Sequence, residues 1–179
     1  PFFPLWQAFR LKKLQSHLET KQVLKADSFF DDLWERTKKQ YPHTNIRTSA
    51  VLNWYCFGNQ NSRKEIFGCY QQDRLQGYAI CWGRQTKRFK EFECVDLWVD
   101  AGDENAIESL ISRVLHHAQE HSYDLVLFPH FSSKLAGIFQ KKGLFQRKLL
   151  RGDRYLKWDG LPPDLSESYF VNFQGDYGL

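Results

Sequence analysis

Apolar positions recur along the chain with two different periods. In residues 9–25 they return every three or four positions, with Lys and Glu on the opposite side, and this spacing predicts a leading helix. A second helix is predicted to begin at Asp27, a capping residue, and to end before Pro42. The stretch 47–58, RTSAVLNWYCFG, is also helical in pattern, and its last residue, Gly58, is typical of a helix end. The first third of the chain is therefore predicted to be helical.

After residue 64 the apolar pattern becomes typical of strands. Residues 65–72 and 76–84 enclose a short polar turn and predict a β-hairpin, and residues 90–100 predict a third, longer strand. Residues 104–121 predict a long helix, followed by a short buried strand at 124–129. The apolar stripe of this helix consists of Ala106, Ile107, Leu110, Ile111, Val114, Leu115 and Ala118.

The remaining elements complete the predicted fold. A helix is expected at 132–143 and a hairpin over residues 144–158. Because a helix connects the strands at 90–99 and 124–129, these two strands are expected to lie parallel in one sheet. The fold class is thus mixed α+β, with a mixed central sheet flanked by helices. We expect a leading helix (1–27), one folded module (28–160) and a C-terminal extension (161–179).

The composition is globular, with 42% apolar and 26% charged residues. The net charge of +4 permits an anionic ligand such as a coenzyme but does not indicate nucleic acid. No apolar run reaches the roughly 18 residues of a membrane span. The four cysteines are widely spaced, which predicts buried, reduced thiols in a cytoplasmic protein. Because the chain begins with Pro1 and contains no Met, we expect another segment, a candidate partner domain, to precede it.

The order of elements, the hairpin FGCYQQDRLQGYAICW, the strand-to-helix turn at 96–106 and the stretch LAGIFQKKGLF resemble the GNAT superfamily of N-acetyltransferases. The stretches SAVLNWYCFG and FQGDYGL are similar to divergent GNAT-like modules of bacterial proteins described as acetyltransferases. The resemblance covers roughly residues 28–158. The family's first strand has no counterpart in this prediction, because residues 1–27 have a helical pattern.

The resemblance implies an N-acyltransferase that carries an acyl group from acetyl-CoA or acyl-CoA to an amine. It places the coenzyme's pantetheine arm along the backbone of the third strand and its pyrophosphate at the following turn. The acceptor would be a small molecule or a peptide. The implied coenzyme-binding residues are Leu97, Trp98, Val99, Gly102, Asp103, Glu104, Asn105, Ser132 and Ser133.

Two positions depart from the family pattern. The family's turn has a basic residue and a second glycine, whereas DAGDENA carries Asp100, Asp103 and Glu104. At ~6 Å each carboxylate would repel a phosphate charge by about 0.7 kcal/mol even with the screening of bulk water. Asp103 is therefore better interpreted as a helix N-cap. The family often has an acid Tyr four residues before the Gly of LAGIFQKKGLF, and this chain has Phe139 there.

Two residues are candidate catalytic bases. Asp96 lies in an otherwise apolar strand, and alternation puts it on one face with Phe92, Cys94 and Trp98. It can act as a general base toward an amine, or it can pair with a nearby Arg or Lys, and we favour the pairing. His130 follows the strand at 124–129, where the resemblance places the thioester, although a surface His is the commoner outcome.

Three further features have ordinary structural interpretations. His117 and His121 are four residues apart on one helical face, but no third ligand is evident, so we predict a solvated face and no metal. The basic stretch 83–90 is interpreted as a solvated hairpin loop rather than a phosphate or RNA contact. The aromatic residues of 52–57 are interpreted as core rather than as an acceptor pocket. Besides the acyltransferase, a catalytically silent GNAT-like binding module remains the alternative.

Overall fold

The computed structural model describes residues 18–41, 44–60, 63–128, 133–141 and 169. Five strands form one sheet in the order β1 to β5. The strands are β1 (Glu19–Val23), β2 (Glu65–Gln71), β3 (Arg74–Gln85), β4 (Lys90–Val99) and β5 (Leu125–Leu127). The described helices are α1 (Ser28–Thr37), α2 (Ser49–Phe57), α3 (Glu104–Glu120) and α4 (Ser133–Lys141), with a short 3-10 turn at Asp100–Gly102. The predicted hairpin at 144–158 lies outside the described residues.

The sheet is mixed, as the sequence predicts. Neighbouring strands from β1 to β4 pair antiparallel. The crossover through α3 places β5 parallel to β4, and this confirms the prediction made from the connection between them. Helix α3 buries its apolar stripe against the sheet, where its Leu110, Ile111 and Val114 are fully buried. The division of the chain at residues 27 and 160 stays a prediction.

The first strand corrects the C-terminal part of the helix predicted over residues 9–25, while residues 9–17 lie outside the described residues. Residues Glu19–Val23 pair antiparallel with β2, from Glu19 opposite Tyr70 to Val23 opposite Ile66. Helix propensity is a weak preference, and the backbone hydrogen bonds that β2 offers at its free edge outweigh it. Leu24, which the helical pattern placed on the apolar stripe, is 75% exposed. Strand β1 is therefore an element of the sheet that the helical pattern did not predict.

Helices α1 and α2 begin and end where the sequence predicts. The Asp27 carboxylate accepts a hydrogen bond from the N–H of Phe29 at 3.1 Å and caps α1. Thr48 caps α2, and Gly58 follows its last turn. Phe30 of α1 is buried against Tyr78 of β3, with ring centroids 5.5 Å apart. These contacts fix α1 over the sheet.

A bulge in β4 changes which side chains face each helix. In the pairing of β3 with β4, Ile80 lies opposite Asp96 and Cys81 lies opposite Cys94, so Val95 has no partner. Because consecutive residues of β3 face opposite sides of the sheet, Cys94 and Asp96 do too. The prediction that Asp96 shares a face with Phe92 and Cys94 is therefore wrong, since simple alternation takes no account of the extra residue.

The two faces of β4 contact different helices. Phe92 stacks on His117 of α3, with ring centroids 5.2 Å apart. The indole N–H of Trp98 donates to the Thr37 hydroxyl of α1 at 2.8 Å. Asp96 is confirmed to share its face with Trp98, because their partners on β3, Ile80 and Tyr78, are two residues apart. The bulge thus directs Asp96 toward α1 and the segment that precedes α2.

The parallel pair of β4 and β5 is short. Only Glu91, Phe92 and Glu93 of β4 have partners on β5. Among the described residues, no strand pairs with this edge of β4 from Cys94 to Val99. The backbone N–H and C=O groups on this edge of the second half of β4 are therefore not paired with a strand among the described residues.

Two further predictions concern the cysteines and membrane spans. All four cysteines are buried free thiols, as predicted. None of the described helices has both the length and the apolar character needed to cross a bilayer.

Candidate functional site

The free edge of β4 borders a small cavity. Its volume is about 20 Å³, so it holds little more than a water molecule. It is lined by Gln40, Tyr41, Leu97, Trp98, Val99, Gly102, Ile107, Leu135 and Tyr169. We refer to the free edge from Cys94 to Val99 together with this cavity as the β4 slot. The resemblance to GNAT proteins places the coenzyme arm here.

Tyr169, from the C-terminal part of the chain, lines the β4 slot and contacts the edge of β4. Its hydroxyl donates to the carbonyl oxygen of Leu97 at 2.6 Å and accepts from the N–H of Leu97 at 3.4 Å. A single hydroxyl group thus hydrogen-bonds to both the N–H and the C=O of Leu97, which a neighbouring strand would otherwise pair with. The side chain is 1% exposed.

Several contacts hold Tyr169 in place. Its ring lies 4.9 Å from the ring of Tyr41 and 5.3 Å from that of Trp98. Its carbonyl oxygen accepts a hydrogen bond from the Thr44 hydroxyl at 2.8 Å, and the two residues form a parallel bridge. Tyr169 is therefore anchored through its backbone as well as its side chain.

Asp96 belongs to a buried ion pair directly beneath the slot. Both Asp96 and Arg47 have fully buried side chains, with Arg47 Nε 3.1 Å from Oδ2 of Asp96 and Nη2 3.4 Å from Oδ1. The Tyr78 hydroxyl also donates to Oδ2 of Asp96 at 2.9 Å. The interpretation of Asp96 as the partner of a basic residue is confirmed. With both oxygens hydrogen-bonded and no exposure, the carboxylate faces its partners rather than an amine.

The Arg47 guanidinium connects this pair to the slot. It donates to the Thr44 hydroxyl at 2.6 Å and to the Asn45 carbonyl at 2.7 Å, and it lies 4.0 Å from the centre of the Trp98 ring and 5.0 Å from that of Tyr169. The arginine thus uses at least four of its five N–H groups in hydrogen bonds and also lies against two aromatic rings. Neither Arg47 nor Tyr169 was identified from the sequence, because no motif spacing marks either residue.

Burial and charge act together on the ionisable groups around Asp96. Burial lowers the pKa of Arg47, but the Asp96 carboxylate together with Tyr78 and Tyr169 raises it by more, so the pKa is raised overall. Burial, followed by the charge of Asp96, raises the pKa of Tyr78 and of Tyr169 well above its ordinary value. Both phenols therefore stay protonated at neutral pH, and Tyr169 keeps the proton that it donates to Leu97.

The corner between β4 and α3 is the predicted pyrophosphate site. Gly102 has a positive φ of 67°, which lets the chain turn into the helix. The Asp103 carboxylate accepts from the N–H of Asn105 at 2.9 Å and from that of Ala106 at 3.2 Å. The prediction of Asp103 as the N-cap of α3 is confirmed. Two of the N–H groups that hold a phosphate at other helix N-termini are therefore already occupied by a carboxylate.

Comparison with solved structures identifies the fold. An aminoglycoside acetyltransferase from an uncultured soil metagenomic sample, solved with sisomicin, is 14% identical and has a TM-score of 0.58; the match covers 78% of this chain and 97% of that one. The ribosomal-protein-alanine N-acetyltransferase of Brucella melitensis biovar Abortus 2308 is 12% identical, with a TM-score of 0.59 and coverage of 77% and 100%. The chain has the GNAT acetyltransferase fold. Glucosamine-6-phosphate N-acetyltransferase from Arabidopsis thaliana is a third similar structure, 10% identical, with a TM-score of 0.55 and coverage of 78% and 99%.

The similarity to GNAT structures is one of fold alone at these identities. No protein-family model and no curated protein matches the sequence. The GNAT fold nevertheless explains the order of the elements, including β1 and the parallel β4–β5 pair.

The other site residues implied by the GNAT resemblance belong to α4 and to the segment that precedes it in the sequence. Phe139 of α4 is buried, and its ring lies 5.4 Å from that of Phe128, so it has a packing role where the family often has an acid Tyr. His130 and Ser132 lie outside the described residues. Ser133 is the first residue of α4, but its side chain is not described. The roles of these last three residues stay predictions.

The histidine pair on α3 differs from the prediction of a solvated face. His117 is 3% exposed, and its Nε2 lies 3.0 Å from a carboxylate oxygen of Glu65. The ring of His121 stacks on that of His117, with centroids 4.0 Å apart. One ligand atom each from His117, Glu120 and His121 lies within 4.8 Å of the others, which is compatible with a metal ion. The sequence did not predict this arrangement, because the partner of His117, Glu65, lies on β2 and is far from His117 in the sequence.

A larger groove lies away from the β4 slot. It has a volume of about 570 Å³ and is lined by Leu24, Lys25, Asn53, Phe57, Gln60 and Arg63. This groove is wide and shallow, and it contains none of the residues that contact Tyr169. Among the aromatic residues of α2, Tyr55 is buried as predicted, whereas Trp54 is 54% exposed and Phe57 lines the groove, so the core interpretation is confirmed only in part. We therefore place the candidate site at the β4 slot rather than at the larger groove.

Proposed function

We propose that the protein is an N-acyltransferase that uses acetyl-CoA or a longer acyl-CoA as the acyl donor and an amine as the acceptor. The observation that carries the proposal is the free edge of β4 from Cys94 to Val99, which β5 leaves open. An extended ligand with amide groups can pair with such an edge as an added strand does. The pantetheine arm of coenzyme A has this chemistry. The GNAT fold supports the same assignment.

The residues at the slot fit the arm better than they fit the diphosphate. The backbone N–H and C=O of Leu97 are available to an amide once the Tyr169 hydroxyl moves away. At the corner, the Asp103 carboxylate already uses two N–H groups of α3. Arg36, which reaches this corner from α1, is paired with Asp100, with its Nε 2.7 Å from Oδ2. We therefore derive the affinity of the proposed site from the arm and not from the phosphates.

The bound coenzyme would supply the thioester, and the chain would supply the surface that orients it. We do not assign Asp96 the role of base in this proposal, because its carboxylate is paired with Arg47 and Tyr78. His130 stays the proposed base, from its position after β5. The acceptor is proposed to be a small molecule or a peptide with a free amine. A cytoplasmic location is proposed with it, and the four buried free thiols support that location.

A catalytically silent GNAT-like module is the second candidate. Two observations favour it. The Asp103 carboxylate that caps α3 disfavours a diphosphate at the corner, and the buried Phe139 cannot protonate a thiolate. Such a module would bind a ligand or a partner domain at the slot without turnover. The two candidates differ in whether acyl transfer follows coenzyme binding.

A thermal-shift titration followed by a transfer assay tests the proposal. Acetyl-CoA at about 100 times its Kd should add about 2.7 kcal/mol to the free energy of unfolding, which corresponds to a rise in Tm of about 5–10 °C for a chain of this size. Longer acyl-CoAs are tested in parallel. Arg63→Ala, in the larger groove, should show the same shift as the wild type. The transfer assay then measures thiol release with a panel of amines.

The outcomes separate the candidates. A shift together with amine-dependent thiol release supports the acyltransferase. A shift without thiol release for any amine supports the silent module. The absence of a shift with every acyl-CoA tested contradicts the proposal, and loss of the shift in Arg63→Ala would move the site to the larger groove.

A further inference from the structure

The slot at β4 already has an occupant, and that occupant belongs to the chain itself. The free edge of β4 offers the N–H and C=O of Leu97, and the Tyr169 hydroxyl binds both. A ligand that pairs with this edge needs the same two atoms. Tyr169 and the ligand therefore compete for one backbone unit.

The space around Leu97 leads to the same conclusion. With Tyr169 in place the cavity measures about 20 Å³, which is too small for a thioester and the chain that carries it. The Tyr169 side chain is 1% exposed and stacks on Tyr41 and Trp98. A ligand arm cannot lie along β4 at Leu97 unless this ring moves.

Tyr169 is also linked to the buried ion pair. Thr44 accepts a hydrogen bond from Arg47 and donates one to the Tyr169 carbonyl, so a chain of contacts runs from Asp96 to Tyr169. The Arg47 guanidinium lies under the Tyr169 ring as well. These contacts give Tyr169 a defined position that the ligand must disrupt.

We propose that Tyr169 is an internal competitor that sets the affinity of the β4 slot, and that acyl-coenzyme A binds by displacing its hydroxyl from Leu97. The inference rests on the proposed function, because it takes acyl-coenzyme A as the ligand. Displacement costs two hydrogen bonds and the ring contacts, so the wild type binds more weakly than a chain in which Tyr169 lacks its hydroxyl. Tyr169 does not take part in the chemical step.

Isothermal titration with acetyl-CoA tests the inference in the full chain. Tyr169→Phe keeps the ring and its packing but frees both polar atoms of Leu97. It should lower the Kd by about twofold to tenfold for each net hydrogen bond that displacement costs the wild type. Tyr169→Ala also empties the space of the ring and should lower the Kd at least as far. The matched control is Tyr123→Phe, which removes the same atom from a tyrosine that stacks on Phe92, on the opposite face of β4.

Each result has a distinct meaning. Tighter binding by Tyr169→Phe, with no change in Tyr123→Phe, supports the inference. Equal affinities of the wild type, Tyr169→Phe and Tyr169→Ala overturn it and leave the proposed function intact. No binding of acetyl-CoA by any of these chains overturns the proposed function, and the inference falls with it. Weaker binding by Tyr169→Phe would show that the hydroxyl contacts the ligand, which also contradicts competition.

Discussion

Replacing Asp96 by Asn should destabilise the protein strongly, whether or not it changes activity. Asn has nearly the same shape as Asp but no charge, and it leaves the fully buried Arg47 guanidinium without its counter-ion. Breaking a buried ion pair by removing one partner costs about 3–5 kcal/mol. For a chain of this size, that loss lowers Tm by roughly 6–20 °C. The free energy of unfolding is measured by urea denaturation and Tm by circular dichroism.

The chain offers a matched control for this variant. Asp32→Asn removes the same charge from an aspartate that also pairs with an arginine, Arg36, at 2.5 Å, but its side chain is 64% exposed. A pair at the surface contributes about 0–1 kcal/mol, so Tm should fall by less than about 4 °C. Adding Arg47→Met to Asp96→Asn should recover part of the lost stability, because no charge is then left buried.

One outcome would refute this reasoning. If Asp96→Asn proved as stable as Asp32→Asn, the carboxylate would not be needed to neutralise Arg47. A loss of turnover in such a stable variant would then return Asp96 to the role of general base.

Two further predictions concern charge and pH. Asp103→Asn keeps the cap of α3 but removes a negative charge from the corner, so the Kd for acetyl-CoA should fall about threefold, because about 0.7 kcal/mol of repulsion at ~6 Å is lost. In the same titration, Glu120→Gln at the other end of the helix should leave the Kd unchanged. An unchanged Kd in Asp103→Asn would place the phosphates elsewhere. Burial lowers the pKa of His117 by more than Glu65 raises it, so His117 has a lower pKa in the folded chain than in the unfolded chain. As the pH drops below about 6.5, the unfolded chain therefore binds the proton first, and the free energy of unfolding should fall. His117→Gln should show a smaller fall in urea midpoint between pH 7.5 and pH 5.5, and an equal fall in both chains would contradict the effect of burial.

The elements with strong periodicity were predictable from the sequence. Helix α3 was predicted at 104–121 and is observed at Glu104–Glu120, because its apolar residues repeat over several turns. The parallel pairing of β5 with β4 followed from the connection through α3. The strand β1 was not predicted, since its five residues, ETKQV, are mostly polar and exposed, and only pairing with β2 makes them a strand.

The candidate site was only partly predictable, because its decisive contacts are long-range. Two roles were predictable from residue type and position alone. A carboxylate within an apolar strand needs a basic partner, as Asp96 has, and an aspartate before a helical pattern is a typical N-cap, as Asp103 is. The identity of Arg47, which is 49 residues from Asp96, does not. Tyr169 is 72 residues from Leu97, and no local spacing connects them. The bulge at Val95 in β4 was also not predicted, because an extra residue does not change the apolar pattern of a largely apolar strand.

A crystal structure of the wild-type protein with acetyl-CoA tests most directly whether the free edge of β4 is a coenzyme slot that Tyr169 occupies in the ligand-free chain. We predict that the pantetheine arm lies along β4, with an amide group bonded to the backbone of Leu97, and that the Tyr169 hydroxyl is no longer within hydrogen-bond distance of the Leu97 carbonyl. A complex in which acetyl-CoA is bound away from β4, with that hydroxyl still 2.6 Å from the Leu97 carbonyl oxygen, would contradict the account.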